Sequence, residues 1–241
     1  MTADVVDGGV PGLERRELLV ATTNRGKMRE ITGILERLPV ALVGLADLGA
    51  IEEPEETGDT FADNARLKAL YYHQATGLPS VADDSGIEIE ALGGLPGVHS
   101  ARWEGTDYAV KFRKIYELLT ARNALCSRAR FVCHVALADQ GEIVFESEGV
   151  IEGIIADAPR GDKGFGYDPI FFYPPLGKTT AELDPDLKAT VSHRGKAFGA
   201  LADFLRSRAH AMEKGSHAME KGKGKMEKDA TRELYHRSRQ P

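Results

Sequence analysis

Two periodicities alternate along this chain, and the switches between them mark its elements. Leu18–Ala21 is an apolar run of strand length, and Val40–Leu45 is a second. Between them Ile31, Ile34, Leu35 and Leu38 recur at helical spacing, which predicts an amphipathic helix from Met28 to Leu38. Thr60 with Asp63 is a helix-start signal and predicts a helix running to Thr76. Val81 opens a strand that meets Asp83-Asp84-Ser85-Gly86 and continues with alternating apolar residues over Ile87–Leu92, until Gly93-Gly94-Leu95-Pro96-Gly97 breaks it.

The second half is richer in strands. Tyr108–Leu119 has helical period. Phe131–Ala138 and Glu142–Glu148 alternate on either side of Asp139-Gln140-Gly141 and predict an antiparallel hairpin. Val150–Ile155 reads as a further strand, Ala158–Pro169 as a glycine-rich loop, Ile170–Phe172 as a short strand and Ser192–Ser207 as a helix. Helices mixed with strands early, and a hairpin later, give an α/β protein with a mixed sheet.

Composition narrows the partners. The chain has 241 residues, enough for a substantial core, and a net charge of −6. The charge is uneven: the body is acidic and the segment after Arg206 is basic. An acidic body argues against a nucleic-acid surface, which needs clustered positive charge, but a few local cations suffice for a small phosphate. No apolar stretch is long enough to span a bilayer, and residues 1–16 have no apolar centre, so a flexible leader and a cytoplasmic protein are expected. The two cysteines, Cys126 and Cys133, lie in or near apolar sequence and are expected to be reduced and buried. The tail repeats His-Ala-Met-Glu-Lys-Gly at 210–215 and 217–222, a low-complexity pattern expected to be disordered over 209–241.

Six segments carry candidate chemistry. Thr22-Thr23-Asn24-Arg25-Gly26-Lys27 joins a strand to a helix, where unpaired N–H groups attract anions and Lys27 adds charge; it lacks the pattern of a Walker A loop. Glu52-Glu53-Pro54-Glu55-Glu56 supplies hard oxygen ligands suited to Mg²⁺. Asn64 and Lys68 are four apart on one helix face. Asp83-Asp84-Ser85 interrupts an apolar strand with groups that are costly to bury without a purpose; since neighbours in extended chain face opposite sides, one aspartate is expected to address a cleft. Gly164-Phe165-Gly166-Tyr167-Asp168 combines glycines, which let a ligand approach the backbone, with aromatic faces for a base. Lys188 with Ser192-His193-Arg194 is rich in donors.

In this order the segments resemble the Ham1 family of inosine/xanthosine triphosphate pyrophosphatases. The matching stretches are ATTNRGK (21–27), EETGDTFADNARLKA (55–69), VADDSGIEIEALGGLPGVHSARW (81–103), GFGYDPIFF (164–172) and SHRGKAF (192–198). The resemblance implies an elongated α/β fold with a long mixed sheet and two lobes around a nucleotide cleft. It also implies a pyrophosphatase domain over 17–208 and a homodimer. Thr22, Thr23, Asn24, Arg25, Gly26 and Lys27 would cradle the triphosphate. Glu55 and Asp84 would hold Mg²⁺, Lys68 would contact phosphate and Ser85 would position the substrate. Phe165, Gly166, Tyr167, Asp168, Lys188, His193 and Arg194 would bind the nucleoside.

On this reading a purine nucleoside triphosphate (ITP, dITP or XTP) is cleaved to monophosphate and pyrophosphate. Lys27 and Lys68 neutralise the leaving group, and Asp84 serves as base or metal ligand, roles that sequence does not separate. Donors from His193 and Arg194 would satisfy a 6-oxo purine and stay unpaired against adenine. The alternatives are a Maf-like pyrimidine nucleotide pyrophosphatase, a non-catalytic nucleotide-binding protein and a phosphatase that releases the terminal phosphate.

Overall fold

In the computed structural model of the protein, residues 16–210 are described, and they fall into two units divided after Leu201. In the second unit the described residues, 202–210, are helical. The expected leader (all but its last residue, Arg16) and the expected tail beyond His210 lie outside the described residues.

The first unit is organised by a seven-stranded mixed sheet in the order β2-β1-β3-β4-β5-β6-β7. The strands are β1 (Arg16–Val20), β2 (Val40–Gly44), β3 (Ser80–Ile89), β4 (Arg128–Asp139), β5 (Glu142–Ile155), β6 (Phe171–Tyr173) and β7 (Lys178–Thr179). β1 runs parallel to β2 and β3, and every later pair is antiparallel. The helices are α1 (Arg25–Leu35), α2 (Phe61–Thr76), α3 (Tyr108–Ala121), α4 (Pro185–Val191) and α5, which starts at residue 193. Among the described residues no helix is long and apolar enough to cross a membrane.

The expected hairpin is present but longer. Gln140 and Gly141 both take positive φ (55° and 83°), the two-residue turn that matches strand twist. Val150–Ile155 is not a separate strand: it continues β5, whose ladder with β4 passes through Gly149. That glycine reads as a break in sequence, yet it serves packing, because a Cβ there would lie 2.0 Å from the His193 carbonyl oxygen of α5.

Two apolar clusters cover opposite faces of the sheet. Ala82, Ala136 and Ala138 meet Ala65, Ala69 and Tyr72 of α2 on one face. On the other, Ile87, Ile89, Phe131 and Ile151 meet Ile115 and Leu119 of α3. Strand alternation assigns Asp84 to the α2 face and Asp83 to the opposite face. Cys133 is buried as expected, whereas Cys126 is exposed, and both are free thiols. Cys126 sits in the turn before β4 at φ 63°, and the apolar run that would have buried it begins only after it.

One topological detail places the site. β1 pairs with β3 at only two positions, Leu19↔Ser80 and Val20↔Val81. Beyond Val81, the β1 side of β3 has no strand against it among the described residues. The chain leaves β1 through Thr22–Asn24 and opens a gap along β3, from Ala82 to Gly86. Farther along, Ser100 and Leu95 cover the edge by accepting from the Ile87 and Ile89 N–H groups.

Candidate functional site

The gap is a cleft of about 380 Å³. Its walls include Thr22, Thr23, Asn24, Lys27, Glu55, Lys68, Asp84, Ser85, Phe165, Gly166, Tyr167, Asp168, Lys188, His193 and Arg194. Arg25 and Gly26, from the same predicted turn, are not among its walls.

The turn after β1 is shaped by Asn24. Its Oδ1 accepts from the Gly26 and Lys27 N–H groups at 2.8 and 3.0 Å, which caps α1. Helix α1 therefore begins at Arg25, earlier than its apolar period suggests. Lys27 projects from the first turn to Asp83, 3.0 Å away. Arg25 points to solvent. Gly26 has a packing role, since a Cβ there would stand 2.7 Å from the ring of Phe165.

Both aspartates of β3 line the cleft, where one was expected. Alternation does send them to opposite faces. Because the strand has an open edge here, however, groups from either face reach round to the same hollow. Asp84 is gripped from α2: Asn64 Nδ2 donates to Oδ2 at 3.2 Å and Lys68 Nζ to Oδ1 at 3.4 Å. Asp83 is gripped from the other side by Lys27 and by Arg194 Nη2 at 3.6 Å.

The electrostatics separate the pair. Burial raises the Asp84 pKa, and the nearby lysines only partly offset this. At Asp83 burial pushes the same way, yet Lys27, Arg194 and Lys68 outweigh it and hold the carboxyl far below the usual range. Lys68 is buried, and although burial disfavours its charge, Asp84, Asp83 and Glu56 keep it protonated above the ordinary lysine range.

The opposite end is built from the glycine-rich loop and α5. Asp168 Oδ2 accepts from the Phe165 N–H at 2.8 Å and from Lys188 Nζ at 2.5 Å. Gly164 (φ 75°) permits this, because its Cβ would fall 2.2 Å from that oxygen. The Phe165 ring has Lys188 Nζ and the Arg194 guanidinium 5.3 and 5.4 Å from its centre. His193 stacks on Phe131 at 4.7 Å. Burial, then Arg194 and Lys188, hold its imidazole neutral, well below the usual range. Tyr167 donates to the Ser100 carbonyl at 2.8 Å and forms a fixed wall.

Sequence reasoning missed several partners. Glu56, next to the expected Glu55, accepts from Lys68 at 2.6 Å, while Glu55 is exposed at the rim. Glu30 accepts from Lys188 at 2.7 Å and from Arg194 at 2.6 Å. It stands three residues after Lys27 on one helix face, a signal that was readable. Arg102 also lines the cleft and donates to Glu56 Oε2 at 3.1 Å.

Three buried polar atoms lack a protein partner among the described residues: Asp83 Oδ1, His193 Nδ1 and Arg194 Nε. Buried polar groups are rarely left unpaired, so their shared place on the cleft wall fits a polar ligand. Among the described residues no three metal-ligating side chains converge. Mg²⁺ does not need that, since it commonly takes one or two carboxylates with water and substrate phosphate. Glu55, Glu56 and Asp84 supply that donor type, so the donor chemistry fits an ion that arrives with a nucleotide.

Comparison with known proteins gives the same direction. The profile described as the Ham1 family matches residues 18–204. A dITP/XTP pyrophosphatase of Syntrophobacter fumaroxidans is 50% identical over 186 residues, covering 77% of this chain and 80% of that protein. One from Thermus thermophilus is 47% identical over 195 residues, covering 79% and 92%. Among solved structures, a HAM1 protein from Coxiella burnetii has a TM-score of 0.74 at 39% identity, covering 80% of this chain and 99% of its own.

Proposed function

This chain belongs to the Ham1 family, and from that premise and the cleft we propose that it hydrolyses deaminated purine nucleoside triphosphates (ITP, dITP and XTP) to the monophosphate and pyrophosphate. The relatives that carry the name dITP/XTP pyrophosphatase support this reading. The observation that carries it is the meeting of Lys27, Lys68 and Asp84 with Phe165, His193 and Arg194 in one hollow.

On this reading the triphosphate lies against the α1 N-terminus and the two lysines, whose charge offsets that developing on the leaving pyrophosphate. Asp84, with its raised pKa, is the group to accept a proton from the attacking water or to orient it. Asn64 and Lys68 hold its two oxygens in place. Glu55 and Asp84 would hold Mg²⁺, which when bound lends charge neutralisation to the phosphates. Phe165 offers a face to the base, and Arg194, fixed by Glu30, presents donors to its 6-oxo edge. Neutral His193 adds one N–H. A homodimer, read out by sedimentation, belongs to the same proposal.

The test is a panel of ITP, dITP, XTP, ATP, GTP, dTTP and UTP with pyrophosphate and orthophosphate measured separately. Pyrophosphate released mainly from the deaminated purines is the expected outcome. Orthophosphate as sole product, or preference for the pyrimidines, overturns the proposal.

A further inference from the structure

The cleft holds five cations, and four of them are already committed to buried partners. Arg194 is tied to Glu30 and Asp83, and Lys188 to Glu30 and Asp168. Lys27 is held by Asp83, and Lys68 by Glu56 and Asp84. The side chains of these four are between 3% and 16% exposed, whereas that of Arg102 is 53% exposed.

Among the described residues the Arg102 guanidinium makes both of its hydrogen bonds to one residue. Nη1 donates to Glu56 Oε2 at 3.1 Å and Nη2 to the Glu56 carbonyl at 3.3 Å. The other Glu56 oxygen takes Lys68 at 2.6 Å. One carboxylate therefore occupies two cations at once, and the second of these already touches Asp84. A guanidinium fork offers paired donors that match phosphate as well as carboxylate. A polyphosphate with its reacting phosphorus beside Asp84 and Lys68 would reach Arg102 by displacing Glu56.

We propose that Arg102 is a polyphosphate-binding residue that selects for the triphosphate, and that its pairing with Glu56 is the contact the substrate replaces. This deepens the pyrophosphatase reading and rests on it. Arg102 is the cleft cation that can turn to a ligand without uncovering a buried charge, since its partner Glu56 keeps Lys68.

The experiment measures binding of IMP and of inorganic tripolyphosphate to the wild-type protein and Arg102→Ala, together with kcat and KM for ITP. Loss of a charge-assisted hydrogen-bond pair weakens binding about tenfold or more. Tripolyphosphate affinity should fall by that factor, KM for ITP should rise, and IMP affinity should stay unchanged. Arg102→Lys should recover part of the loss. Repeating Arg102→Ala in a Glu56→Ala background separates direct contact from positioning: a direct contact still costs tripolyphosphate affinity there. Unchanged tripolyphosphate binding, equal loss for IMP, or no further loss in the Glu56→Ala background overturns the inference. A wild-type protein that releases no pyrophosphate from ITP overturns the underlying reading instead.

Discussion

Asp83 and Asp84 are covalent neighbours whose carboxyl groups lie on opposite faces of one strand and are driven in opposite directions by their surroundings. Asp83 is an anion locked between Lys27 and Arg194. Asp84 is the one with proton affinity to spare. On the proposed function this gives a division of labour, with Asp83 fixing the cations and Asp84 as the proposed partner of the water.

Asp84→Asn should therefore lower kcat for ITP by about 10²–10⁴-fold, while nucleotide binding persists. Steady-state kinetics of the folded variant checks this, and retention of most turnover would remove Asp84 from the reaction.

The same pair predicts a pH dependence of stability in the metal-free protein. A carboxyl whose folded pKa is raised contributes stability that is full below its unfolded value, near 3.8, and lost as pH rises through the folded pKa. Asp84→Asn should thus melt higher than wild type at pH 7, with the gap closing in acid. Asp83 has the opposite sign: its contribution is present above 3.8 and disappears as pH falls through its depressed folded pKa. Thermal melts across pH read both, and an Asp84→Asn variant no more stable than wild type at pH 7 contradicts the assignment.

Arg194→Ala should lose the preference for ITP over ATP in kcat/KM. It should also destabilise the fold by roughly 3–5 kcal/mol, because it strips a partner from buried Asp83 and another from half-buried Glu30. Denaturant unfolding and a two-substrate comparison measure the two effects separately. An unchanged substrate ratio would remove Arg194 from base recognition.

Gly26→Ala would drive a methyl group into Phe165. Overpacking of this kind costs about 1–3 kcal/mol, and displacement of the ring should raise KM for ITP more than it lowers kcat. An unaltered KM would mean that Phe165 does not contact the base.

Chelation should abolish pyrophosphate release, and Mg²⁺ should restore it. Glu55→Gln should raise the Mg²⁺ concentration needed for half-maximal activity. Full activity in excess chelator would exclude the proposed ion.

The sequence made some of this legible and hid the rest for physical reasons. The start of α2 was readable because Thr60 and Asp63 are local, and Thr60 Oγ1 does accept from the Asp63 N–H. The start of α1 was not, because its first turn is polar and lacks the apolar period, although Asn24 is a proper cap. Helix α4 has seven residues, too few for a period to show, and only Pro185 at its start marks it. In the site, Lys68 and Asp84 stood out as polar groups in apolar stretches. Glu56 could not be preferred over Glu55 by spacing alone, since which of two adjacent carboxylates turns inward depends on where Lys68 lies.

The incomplete pairing of β1 with β3 reaches beyond topology. Residues of the same parity as Ile87 and Ile89, whose N–H groups point away from β4, include Asp83 and Ser85. Their main-chain donors therefore look toward the vacancy a neighbouring strand would fill. Their carbonyls share that side, as the Val81 carbonyl does in accepting from the Ala21 N–H, so a visitor there must bring hydrogen-bonding groups of its own, and the backbone discriminates against hydrocarbon before any side chain has acted.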